Sequence, residues 1–135
     1  MKARLLKIGL ITLSAFGLGL SSATGAQAAE WCRSGDLCLY YNSGANHYGA
    51  IFVQNGDISN YGLTQYFFVP SDKGSAGAYQ NVKNNAAAVE NRTSYHAVIY
   101  YNSGYNCEIA CQQILSFTVK DLNSTMKNNN ASGSY

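Results

Sequence analysis

The chain has 135 residues, of which only 12% are charged, and a formal net charge of +2. That length accommodates one domain with a hydrophobic core. Three of the nine basic residues lie in the first seven positions, and the six that remain face seven acids, for a charge of −1, so the rest of the chain lacks the basic footprint of a nucleic-acid-binding protein.

The first element in the chain is an apolar N-terminal segment. A short basic region precedes an almost wholly apolar or small stretch over residues 5–20, and Ala26 and Ala28 place small side chains where a signal peptidase reads them. We therefore expect a signal peptide over residues 1–28 and a single secreted, extracellular domain over residues 29–135. The alternative is a membrane anchor, but the apolar run is short for a spanning helix and small or polar residues interrupt it.

All four cysteines lie in the expected mature domain. An even number in a small exported protein is typical of two disulfides. Of the three possible connectivities we predict the two local ones, Cys32–Cys38 and Cys107–Cys111. The alternative is a zinc site, although C-x5-C and C-x3-C are unusual spacings for zinc ligands.

Short apolar and aromatic runs, bounded by Asn, Gly and Ser, predict a β domain. The turns between them contain Asn and Gly, which tolerate the positive φ of tight hairpins. Several short strands at this spacing indicate a sandwich or a barrel. We expect the polar stretch from Asn128 onward to fray. The predicted strands are residues 37–41, 50–54, 65–69, 95–101 and 112–119.

Three segments of the first half of the domain recur in the second half in the same order. The matched pairs are residues 39–46 with 99–106, 57–58 with 121–122, and 83–85 with 127–129. Such a series predicts two copies of one β motif. The first copy carries an insertion over residues 66–80, which is rich in Gly and Ser around a Tyr-Phe-Phe run.

Two segments of the first copy indicate a family. They are C-x5-C-LYYN at residues 32–42 and VKNNAAAVEN at residues 82–91. With the export signal and the internal repeat, they resemble the Streptomyces-type metalloproteinase inhibitors, secreted relatives of the βγ-crystallins, over nearly all of the mature chain. The resemblance implies an all-β fold of two Greek-key motifs, packed as a βγ-crystallin-like sandwich with two disulfides. The hairpin glycine of the crystallins has a counterpart in Gly49, whereas the second copy has Cys107 in that region.

Little in the sequence indicates catalysis. His47 and His96 lie in no recognisable motif, and the acidic residues are scattered singly, without the spacing of a two-carboxylate hydrolase. Oxidised thiols cannot act as nucleophiles. We predict that the protein is not an enzyme, with a small hydrolase as the remote alternative.

The crystallin resemblance also implies a calcium motif, in which an Asn/Asp pair is followed by hydroxyl side chains. The candidate ligands are Asn84, Asn85, Asn128, Asn129 and Ser132. Ala88, Val89 and Gly133 stand where the other hydroxyls belong, and a hard cation prefers carboxylates. We therefore expect weak calcium binding or none, and no other cofactor. The alternative is that these Asn residues cap turns.

The loop Cys107-Glu108-Ile109-Ala110-Cys111 is the candidate inhibitory site. The family resemblance implies a substrate-like loop, and a disulfide-closed loop enters a protease cleft with little ordering cost. Thermolysin-type enzymes favour a bulky apolar residue just after the cleaved bond, so Ile109 suits a bond between Glu108 and Ile109. If the presented bond follows Cys107, the acid Glu108 takes that position and fits poorly.

The expected function is thus inhibition of an extracellular protease, of the metalloprotease class, by a monomer that binds neither nucleic acid nor membrane. Two alternatives remain at this point. The loop is a structural clip on a hairpin, or the domain is a non-inhibitory binding module of the crystallin type, with weak calcium affinity or with carbohydrate- or toxin-directed contacts.

Overall fold

The computed structural model describes residues 28–135, so the predicted signal peptide lies outside the described residues apart from its last position. Within this range no helix is long and apolar enough to cross a membrane. A short 3-10 turn covers Gly44–Asn46. The strands are β1 (Leu37–Tyr40), β2 (Ile51–Gln54), β3 (Ala88–Asn91), β4 (Ala97–Tyr100), β5 (Cys111–Ile114), β6 (Thr118–Asp121) and β7 (Ser132–Ser134).

The strands form two antiparallel sheets, in the orders β2-β1-β3-β6 and β5-β4-β7. In each half of the chain, the third extended segment pairs with the sheet of the other half. In the second half this segment is β6, which pairs with β3. In the first half it is the segment at Ile58, which forms a bridge to Gly133 of β7. The prediction of an all-β fold with two disulfides is therefore confirmed.

The internal repeat is visible in the backbone. Asn84 and Asn128 occupy matching positions, with φ of 61° and 59°. The Asn84 N–H donates to the Asn130 carbonyl at 2.8 Å, and the Asn128 N–H donates to the Ala86 carbonyl at 2.8 Å. These reciprocal bonds join the two halves across their shared boundary.

Strand β1 shows where the core lies, because all four of its residues are buried. Leu37 and Leu39 point into the main core between the two sheets. Cys38 and Tyr40 point to the other face, where they pack in a second cluster with Cys32 and Ile51. A strand that is buried on both faces is expected to have a continuous apolar sequence, as β1 does.

Three predicted elements differ from the structure. Residues 65–69 are not a strand, because Phe67 and Val69 make only isolated bridges. Residues 112–119 divide at Phe117, whose φ of 56° turns the chain out of β5 and into β6 of the other sheet. The C-terminal segment does not fray: residues 130–133 are buried and lead into β7, which pairs with β4.

Both predicted disulfides are present, with Cα–Cα distances of 5.9 Å for Cys32–Cys38 and 5.1 Å for Cys107–Cys111. The second lies at one end of both sheets, which we call the loop end. In the strand registers Tyr40, Ala88 and Asp121 are aligned there in one sheet, and Tyr100, Cys111 and Ser132 in the other. The Gln112 side chain joins the two sheets at this end by donating to the Asp121 carbonyl at 3.1 Å.

Candidate functional site

The disulfide loop, residues 107–111, lies in the connection between β4 and β5 at the loop end, and hydrogen bonds hold the residues at its base. The Tyr101 N–H donates to the Ala110 carbonyl at 3.0 Å. The Glu108 N–H donates to Asn106 Oδ1 at 2.7 Å. In the residues that precede the loop, the Tyr105 N–H donates to the Ser132 hydroxyl at 3.1 Å, and that hydroxyl donates to the Asn102 carbonyl. Both ends of the loop are therefore fixed to the sheet.

The apex of the loop is open. Ile109 is 63% exposed, and it is the one large apolar side chain between the two cysteines. Glu108 is also exposed, and its carboxylate makes no ion pair with another residue of the described chain. The arrangement offers an apolar side chain and an acid to a partner, on a backbone held in place from below.

The histidines have local roles in the described structure. His96 Nδ1 accepts from the Ser116 N–H at 3.1 Å, next to the turn between β5 and β6. His47 ends the 3-10 turn in the left-handed conformation. Across residues 28–135, no three His, Cys, Asp or Glu side chains come together in a way that would hold a metal ion. Within the described residues, neither histidine forms a hydrogen bond to the disulfide loop.

The candidate calcium residues are largely engaged with their own turns. The Asn85 amide donates to the Asn81 carbonyl at 2.9 Å, and the Asn129 amide donates to the Thr125 carbonyl at 2.9 Å. The Ser132 hydroxyl donates to Asn102 at 2.7 Å. These bonds are those of turn caps and favour the structural alternative.

Two of the candidate calcium residues, Asn85 and Asn128, line the same cleft. This cleft of about 360 Å³ lies between the halves and is also lined by Ser43, Asn46 and Lys127. Among the described residues, Lys127 is the one charged residue that lines this cleft, and a positive charge disfavours a bound cation.

Sequence reasoning missed the buried side chain of Asn130. Its side chain accepts from the Ala86 N–H at 2.9 Å and donates to the Val82 carbonyl at 2.8 Å. It thereby ties the second half to the first. The counterpart of Asn130 in the repeat is Ala86 itself, so the pattern gave no signal for this link.

A second missed group fixes the insertion to the first sheet. Lys73 of the insertion donates to Glu90 at 2.9 Å and to the Tyr40 hydroxyl at 2.6 Å, and that hydroxyl donates to Glu90 at 2.7 Å. Burial alone would raise the pKa of Glu90, but the hydrogen bonds from Tyr40 and Lys73 outweigh it and hold the pKa below its usual value. Glu90 is therefore an anionic anchor for the insertion.

Comparison with known proteins adds one finding. The family model of peptidase inhibitor family I36 matches residues 25–112. The match covers more than half of the chain and includes all four cysteines and the whole disulfide loop. A search of curated proteins and a search of solved structures each found no match.

Proposed function

The chain belongs to peptidase inhibitor family I36, and on that premise we propose that it is secreted and blocks an extracellular metalloprotease with the Cys107–Cys111 loop. Membership of the family makes it a peptidase inhibitor with a protease partner, and not an enzyme. The metalloprotease class and the use of this loop are our proposals. The observation that carries them is the exposed Ile109 apex on its fixed base.

The shape of the loop suits inhibition. Its backbone is already ordered by the disulfide and by the bonds at its base, so binding in a cleft requires little further loss of conformational entropy. If the protease cuts inside the loop, the disulfide keeps the new ends together at high effective concentration. Rejoining then competes with release, which is the behaviour of an inhibitor.

The hydrogen bonds favour the bond between Glu108 and Ile109 as the one presented. The Glu108 N–H is bonded to Asn106, which draws the bond after Cys107 into the base of the loop. The Ile109 N–H has no hydrogen-bond partner among the described residues. Ile109 would then fill the apolar pocket that follows the cut, and Glu108 would lie on the other side of it.

Two further features support export and the crystallin-like fold. Disulfides persist in oxidising compartments, and both predicted pairs are formed. The exchange of third elements between the halves agrees with two interlocked Greek-key motifs of the βγ-crystallin type, which we propose for residues 29–135. The signal peptide over residues 1–28 remains part of the same proposal.

The direct test is an inhibition screen of the purified domain, residues 29–135, against a thermolysin-like metalloprotease, a serine protease and a cysteine protease. We expect inhibition of the metalloprotease, with mass spectrometry after long incubation showing cleavage between Glu108 and Ile109. Inhibition of only the serine or cysteine protease would contradict the proposed target class. No inhibition of any of the three would favour the non-inhibitory binding module instead.

A further inference from the structure

The insertion and the residues just before it carry exposed apolar side chains. Leu63, just before the insertion, is 48% exposed, and within it Phe67 and Tyr79 are 42% and 67% exposed. We call Phe67 and Tyr79 the aromatic face. Phe67 bridges Asn81 across a short antiparallel contact, while its neighbour Phe68 is fully buried. Successive residues of an extended chain point to opposite sides, so burial of Phe68 turns Phe67 outward.

This face is held rigidly. The Asn81 amide donates to the Leu63 carbonyl at 3.2 Å and to the Tyr66 carbonyl at 3.0 Å. The Tyr79 N–H donates to the Phe68 carbonyl at 2.7 Å, although Tyr79 has a φ of 68°, which a bulky residue seldom adopts. Strained residues of this kind concentrate at functional sites, and here the strain leaves a large ring in solvent.

Hydrogen bonds connect residues on either side of the insertion to the β4–β5 connection that carries the disulfide loop. The Lys83 ammonium donates to the Ser103 hydroxyl at 3.1 Å and to Asn60 at 3.3 Å. The Gly104 N–H donates to the Ser59 carbonyl at 2.7 Å. Gly104 lies three residues before Cys107 in the connection between β4 and β5. The insertion itself reaches the loop end, because Val69 bridges Ile51 and Ile51 pairs with Tyr40 there.

We propose that the aromatic face is a second contact surface for the protease that the disulfide loop inhibits. This proposal rests on the function proposed above. A stable inhibitor complex buries about 800 Å² on each partner, more than a loop of five residues supplies alone. Exposed aromatic residues on a rigid base are the side chains that interfaces favour, and the place of the insertion at the loop end makes the protease held by the disulfide loop the partner we propose for them.

The test compares two matched double variants by their inhibition constants. Phe67→Ala with Tyr79→Asn removes both rings of the aromatic face, and Asn tolerates the left-handed backbone at Tyr79. Tyr95→Ala with Phe117→Asn is the control. Tyr95 and Phe117 are 68% and 71% exposed, and they lie beyond the opposite ends of β4 and β5. We expect the first pair to raise the inhibition constant about tenfold or more and the control to leave it within about twofold.

The outcomes separate this proposal from the proposed function. If Ile109→Ala raises the inhibition constant and the aromatic pair does not, the second contact is overturned while the disulfide loop stands. An equal rise in the control pair would also overturn it. A wild-type protein that inhibits no metalloprotease would remove both proposals.

A second measurement needs no variant and guards against misfolding. Hydrogen exchange of the wild-type protein in the presence of excess protease should show slower exchange in residues 63–81 as well as in residues 107–111. Slower exchange in the disulfide loop alone would refute the second contact.

Discussion

Replacing Ile109 by Ala is the sharpest perturbation of the proposed inhibitory loop. The change removes three carbon atoms, worth about 2.4 kcal/mol if all of that surface becomes buried in a protease pocket. Ile109 is 63% exposed in the free protein, so the fraction that binding still has to bury gives about 1.5 kcal/mol. That free energy corresponds to a rise of about tenfold in the inhibition constant.

The assay is the inhibition constant against the thermolysin-like enzyme, with thermal unfolding as the folding control. Because the side chain is exposed, the free energy of unfolding should change by less than about 0.5 kcal/mol. Leu115→Ala is a matched control, since Leu115 is 52% exposed just beyond the opposite end of β5. An unchanged constant for Ile109→Ala, or an equal rise for Leu115→Ala, would show that Ile109 does not occupy an apolar pocket.

Three further predictions concern the bridge, an acid-sensitive ion pair and calcium. Ser at both Cys107 and Cys111 should lower the free energy of unfolding by about 2 kcal/mol or less, because the closed loop is short, and should raise the inhibition constant while circular dichroism stays unchanged. Tyr40 and Lys73 lower the pKa of Glu90 below its usual 4.5. Their bonds to the ionised carboxylate therefore stabilise the folded protein above pH 4.5, and this stabilisation is lost as the pH falls through the folded-state pKa. Glu90→Gln should therefore reduce stability at neutral pH and flatten the loss in acid, as chemical denaturation at several pH values would report; parallel curves for the two proteins would contradict this. Calorimetry should find calcium affinity no tighter than about 10⁻⁴ M, because the candidate amides cap turns, and micromolar binding would show that their role is misassigned.

The sequence was most informative where the determining contacts are local. Both disulfides join cysteines separated by only a few residues, so the spacing alone favoured the pairing that the structure shows. Strands β1, β2 and β4 are dense in apolar residues, and each lies within a predicted strand. The exposure of Ile109 also agrees with its predicted place in a five-residue loop closed by a disulfide.

The missed elements depend on distant partners. Strand β7 is Ser-Gly-Ser, which has no apolar side chain, and it forms because β4 pairs along one side and Ile58 along the other. Strand β3 was also missed, although residues 88–91 and 132–135 stand at the same spacing as the repeated Asn pairs. The repeat relates these two strands to each other, but neither was predicted, so it gave no signal for either. The division at Phe117 had no comparable signal, because a bulky residue at positive φ is exceptional.

The two halves differ most at the loop end, and this asymmetry bears on function. The reciprocal bonds of Asn84 and Asn128 keep the boundary between the halves alike, and the exchanged third elements bind each half to the other's sheet. Such interlocking leaves the loops between strands free to change without loss of the core. The second half has a disulfide loop in one such connection, and the first half has the insertion in another. Both departures lie at the loop end of the sheets, and this shared position is why we propose one protease as the partner of both.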